Sequence, residues 1–167
     1  AQSESRAAAS GGVTAMLTYF RTGQYYLNRG GPYAEFFPEV LRLSDGHYWV
    51  DYGYHLAPIE ASHVGEMEAL AVEHGVPSFK IFMFYGSHGL HGRSDNQRQW
   101  LMLPDEDEYD LAHFEQICRE AARLQQQYPE LAPYIQVSFH CETPELLRAY
   151  EKQVREKGEL NGLAAWH

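Results

Sequence analysis

The sequence predicts an α/β fold in which about four parallel strands alternate with helices. Three observations predict it. Short runs rich in β-branched and aromatic residues alternate with longer runs of helical period, the pattern of a parallel sheet joined by crossover helices. Glycines stand where helical runs stop, at Gly11-Gly12, Gly75 and Gly158, as left-handed caps require. No glycine-rich phosphate loop follows any strand, which disfavours a nucleotide-binding version. A doubly wound open sheet and a section of a (β/α)8 barrel both satisfy the alternation. A complete barrel takes ~250 residues, so four strands would be about half of one.

Taken in order, residues 4–10 have the composition of a helix end, stopped by Gly11-Gly12. Residues 13–20 (VTAMLTYF) form a buried strand, and 21–32 a glycine-rich loop. Residues 33–43 hold a helix expected to break or kink near Pro38. Residues 47–56 (HYWVDYGYHL) make the second strand. From His63 to Glu73 the apolar residues Val64, Met67, Leu70 and Ala71 mark one helix face. Residues 78–85 (SFKIFMFY) are the third strand. Residues 86–107, polar and ending in the acidic run that continues to Glu108, are expected to be one long loop. A helix over 111–128 presents Leu111, Phe114, Ile117, Cys118, Ala121 and Leu124 to the core, and 134–141 (YIQVSFHC) is the fourth strand. Thr143 as N-cap, Pro144 at the first position and Glu145 in the first turn open a last helix.

Composition narrows the function. The 167 residues are 44% hydrophobic with 12 Tyr, 8 Phe and 3 Trp, enough to build a core. With 23 acidic against 13 basic residues the net charge is −10. A field of that sign repels phosphate backbones and anionic lipid surfaces, so neither nucleic acid nor membrane is an expected partner. Cys118 and Cys141 are far apart and make no CxxC pair, which fits a reducing cytoplasm. No run approaches the ~18 apolar residues of a membrane span. The start at Ala1 without Met and the stop at His167 read as cuts, so that residues 1–167 would be an internal piece of a longer chain.

Lys80 is the most unusual residue, a lysine inside Phe79-Lys80-Ile81-Phe82-Met83-Phe84. An ammonium buried there without a partner costs several kcal/mol, so it is paired, neutral, modified, or snorkels to water from an edge strand. His140 ends the fourth strand, where barrel side chains point into the site and imidazole can bind metal. Alternation puts Cys141 on the opposite face. His88 and His91 lie among glycines and read as solvated loop histidines.

These residues carry a resemblance. Gly75-Val76-Pro77-Ser78-Phe79-Lys80-Ile81-Phe82-Met83-Phe84-Tyr85 resembles the lysine strand of the hydantoinase/dihydropyrimidinase family, G-[VI]-x-S-F-K-x-F-M-x-Y. Val137-Ser138-Phe139-His140-Cys141-Glu142 resembles the family's next strand, which ends in H-x-E. Ala7-Ala8-Ala9-Ser10-Gly11-Gly12-Val13-Thr14 resembles the segment after its first metal-binding strand, and Asp51-Tyr52-Gly53-Tyr54-His55 the strand before the lysine. The four segments occur in family order over nearly the whole chain, and the lysine segment is the specific one.

The resemblance implies a partial (β/α)8 barrel from a metal-dependent hydrolase that opens cyclic amides such as hydantoins or dihydropyrimidines. It implies that Lys80 is carboxylated to a carbamate bridging two Zn2+ ions, and that His140 ligates the second. It also implies that Tyr85 hydrogen-bonds the substrate carbonyl and its developing oxyanion. The family's first-strand His-x-His, sixth-strand His and eighth-strand Asp have no counterpart in these residues, so this chain alone is expected to be catalytically incomplete. The 86–107 stretch is longer than the family pattern, and the motif containing His55 does not mark it as a ligand. The parent would be a homo-oligomer, a tetramer by the same resemblance. Two other readings remain: a non-catalytic relative of the collapsin-response-mediator kind, and an amidohydrolase related to allantoinase or dihydroorotase. The retained Lys80, Tyr85 and His140 weigh against the first, and Tyr85 against the second.

Overall fold

A computed structural model describes residues 1–83 and 96–158, and in it the strand-forming runs share one sheet. In chain order the elements are α1 (Gln2–Ser10), β1 (Ala15–Phe20), α2 (Tyr33–Ser44), β2 (Asp51–Leu56) and α3 (Ala61–Val72). They continue with β3 (Ser78–Phe82), α4 (Gln97–Leu101), α5 (Leu111–Gln127), β4 (Gln136–His140) and α6 (Pro144–Lys157). The sheet order is β1-β2-β3-β4 and every neighbouring pair is parallel. Sequential strands lying side by side, each joined by a helical crossover, is the winding of a (β/α) barrel segment.

Registers place the side chains. Leu56 pairs with Phe79, and Phe79 with Val137. With the pleat alternating, Tyr54, Leu56, Phe79, Ile81 and Val137 therefore share one face. That face is the core: Leu56, Phe79 and Ile81 are fully buried against Tyr33, Phe36 and Phe37 of α2, Met67 of α3, and Ile117 and Leu124 of α5. The other face carries Leu17, Tyr19, Gly53, His55, Ser78, Lys80, Phe82, Gln136, Ser138 and His140. No helix of the described residues is long and apolar enough to cross a membrane.

Several expectations are corrected. β2 begins at Asp51, because β1 begins opposite it at Ala15 and residues 47–50 have no strand to pair with. Helix α2 continues through Pro38. The amide that proline lacks would have bonded the carbonyl of the exposed Ala34, and Phe36, Phe37 and Val40 anchor the helix on both sides. The 86–107 stretch contains α4, capped by Asn96, whose side chain accepts from the Gln99 amide. Trp100 and Leu101 of this helix are buried in the core. In α5, Leu111 is 69% exposed, whereas His113, next to Phe114, is buried and its ring lies against the Pro58 carbonyl. Thr143 occupies the N-cap position of α6 but makes no side-chain cap bond. Gly75 takes the left-handed conformation anticipated after α3.

Candidate functional site

Strand alternation brings Lys80 and His140 to the same face of the sheet. Lys80 is opposite Ser138, and Phe82 opposite His140, so His140 stands one pleat repeat nearer the C-terminal rim on the adjoining strand. The Lys80 side chain is directed toward that rim: its Nζ lies 4.9 Å from the centroid of the Phe82 ring. The same ring packs 4.6 Å from the His140 imidazole and 4.9 Å from Tyr19. Lys80 is half-buried, and among the described residues no carboxylate forms an ion pair with it. Its charge rests on an aromatic face, a contact worth about 0.5–1 kcal/mol at exposed sites and more when desolvated. Tyr85, His88 and His91 lie outside the described residues.

His55 occupies the floor beneath Lys80. Its Nδ1 is 2.6 Å from Ser78 Oγ on β3 and its Nε2 is 2.6 Å from Ser138 Oγ on β4. Gln136 Nε2 donates to Ser78 Oγ at 3.1 Å. A neutral imidazole can satisfy both serines, one ring nitrogen accepting and the other N–H donating. Burial pushes its pKa down, and the nearby Lys80 charge pushes it further the same way. The sequence marks this histidine only as a polar residue in a strand rich in aromatic residues. The signal that could have found its partners is alternation, which puts Ser78, Lys80 and Ser138 on its face.

A second polar cluster sits past the C-terminal ends of β1 and β2. His63 Nδ1 accepts the backbone amides of Ile59 (3.0 Å) and Glu60 (3.1 Å), and Nε2–H donates to the Gly31 carbonyl at 2.9 Å. Buried Glu60 accepts the Gly31 amide at 2.6 Å and caps α3. Arg21, 1% exposed, reaches the Thr22 carbonyl at 2.6 Å and lies over the rings of Tyr26 and Trp100. These groups tie the loop after β1 to the turn before α3.

The structure thus puts an amine and an imidazole on one face of adjacent strands. Among the described residues no group of three or more His, Cys, Asp or Glu side chains could hold a metal ion. Further ligands would have to come from elsewhere, since a catalytic zinc usually takes three protein ligands.

The architecture defines a parallel α/β class of protein, a four-strand stretch consistent with a (β/α)8 barrel. Among solved structures, the chain is similar to the dihydropyrimidinase of Brevibacillus agri, with a TM-score of 0.55 and 19% identity over 94% of this chain and 28% of that one. It is likewise similar to the D-hydantoinase of Bacillus sp. AR9, with a TM-score of 0.56 and 20% identity over 92% of this chain and 27% of that one. At such identity the likeness carries the fold, and the chain spans little more than a quarter of each protein. No protein-family model matches the chain, and no curated protein matches it significantly.

Proposed function

We propose that these residues belong to the catalytic barrel of a metal-dependent hydrolase that opens cyclic amides of the hydantoin or dihydropyrimidine type. The observation that carries this reading is that Lys80 and His140 share one face of adjacent parallel strands, with His140 at the C-terminal end of its strand. The rim is where barrel enzymes gather their chemistry. The likeness of fold to a dihydropyrimidinase and a D-hydantoinase supports the same reading.

In this reading Lys80, as its carbamate, and His140 would hold two zinc ions together with ligands from beyond these residues. When bound, the metals would supply a water activated at neutral pH and polarise the ring carbonyl. The chain's own contribution is electrostatic and positional. Carboxylation would convert a half-buried cation into an anion that bound dications could compensate, and the Phe82 ring lies beside the amine, itself packed on Tyr19. His140 would offer an imidazole nitrogen as a metal donor. Tyr85 would donate a hydrogen bond to the substrate carbonyl and the oxyanion that develops on it. The reading extends to a homo-oligomeric parent, on the resemblance alone.

The test uses the full-length polypeptide that carries these residues. Two zinc ions per chain, ring opening of hydantoin or dihydrouracil, and loss of that activity to a chelator are the expected results. A metal-free protein with no hydrolysis of any cyclic amide, even after zinc and bicarbonate are supplied, would sink the proposal.

A further inference from the structure

We propose that His55 is the positioning residue of this site: clamped between Ser78 and Ser138, its imidazole forms the floor that turns the Lys80 side chain toward the C-terminal rim. The inference rests on the reading of Lys80 as the functional amine.

The geometry is specific. His55 belongs to β2, yet its ring nitrogens reach Ser78 on β3 and Ser138 on β4, each at 2.6 Å. Ser78 precedes Lys80 by two residues on the same face, and Ser138 is the register partner of Lys80. The ring therefore crosses β3 between the level of Ser78 and the level of Lys80. A long, flexible side chain at Lys80 has two ways to run over the open face, toward the N-terminal or the C-terminal end of the strand. The imidazole closes the first, and the Phe82 ring receives the ammonium on the second, at 4.9 Å. Two anchors hold the ring against rotation, where one would leave it free to swing. Gln136, donating to Ser78 at 3.1 Å, adds a third polar contact to the clamp. Groups that hold or orient a metal ligand are typically worth about 10–100-fold in metal affinity, and the clamp acts on the ligand at the same remove.

The experiment compares His55→Ala, Ser138→Ala and Ser138→Thr with the parent sequence in the full-length polypeptide. The first readout is the proton shift of the Lys80 ε-methylene in protein labelled at lysine, identified by its loss in Lys80→Arg. It is taken after chelation and in CO2-free buffer, so that Lys80 is a plain amine. Held over the Phe82 ring, that methylene carries a ring-current shift that the solvent-exposed Lys152 does not. The second readout is zinc content after reloading with zinc and bicarbonate. His55→Ala is expected to move the Lys80 signal to the position of exposed lysines and to lower zinc affinity by about tenfold or more. Ser138→Ala should do both in part, and Ser138→Thr, which keeps the hydroxyl, should do neither. An unshifted Lys80 signal in folded His55→Ala overturns the proposal. If His55→Ala does not fold, an unshifted signal in Ser138→Ala does so instead. A parent protein that binds no zinc defeats the metal reading alone, because the lysine signal still decides whether His55 positions it.

Discussion

Lys80 and Phe82 stand two residues apart on the open face of β3, and the lysine Nζ lies 4.9 Å from the centroid of the phenyl ring. A lysine flanked by Phe79 and Ile81, both fully buried on the opposite face, thus escapes the core without leaving the strand. The pleat separates the two demands: alternate residues build the hydrophobic layer, and those between are free for chemistry.

On the proposed reading of Lys80 as a metal-holding carbamate, Lys80→Ala in the full-length protein is expected to abolish bound metal and turnover together. The fold should survive, since the face it leaves is open. Short carboxylic acids added to the buffer are expected to restore part of the activity by occupying the bridge. Metal analysis beside turnover checks this, and two metals with near-normal rate would make the lysine structural.

On the proposed role of Tyr85 as oxyanion donor, Tyr85→Phe is expected to leave metal content unchanged while turnover falls by about two to three orders of magnitude. Equal loss of metal and rate would instead make Tyr85 part of the metal scaffold.

Residues 1–167 expressed by themselves are expected to bind zinc weakly and to open no hydantoin ring. The two donors proposed for this chain, Lys80 and His140, fall short of the three that catalytic zinc usually draws. Chelator-sensitive ring opening by this chain alone would contradict the expectation.

The His63 cluster predicts an acid-side loss of stability. Burial lowers the His63 pKa, outweighing the Gly31 carbonyl and the Glu60 and Asp107 charges that favour the cation, and His113 pushes it lower still. Protonation would also put a proton on Nδ1, which already faces two backbone donors. A histidine with a depressed folded pKa costs nothing above the unfolded value of about 6.5. Below it the unfolded chain binds the proton preferentially, so stability falls until the folded pKa is passed. Urea midpoints measured from about pH 7.5 down to pH 5 should therefore decline, and His63→Gln should flatten that part of the curve. A slope identical in the variant would rule His63 out as its source.

Phe79→Ala is expected to cost about 3–5 kcal/mol, the range for emptying a fully buried aromatic site. Leu17→Ala, on the open face at 58% exposure, should lie within about 0.5 kcal/mol in the isolated chain. Chemical denaturation of both variants measures the difference. Comparable costs would mean that the open face is covered in solution.

The sequence by itself determined most of the local elements. Periodicity located all four strands and most helices, Gly75 announced its left-handed cap, and Lys80 stood out because a cation inside an apolar strand demands an explanation. Tertiary structure decided whatever depends on a distant partner. The start of β2 follows from where β1 begins, and the continuity of α2 through Pro38 from the packing of its aromatic residues. The burial of α4 follows from the places its Trp100 and Leu101 take in a core built by other segments. His55 is the clearest case: its serine partners are 23 and 83 residues away in the chain. Local propensity acts within a few residues and is legible in one dimension, whereas a register between strands exists only once the sheet has closed those intervals.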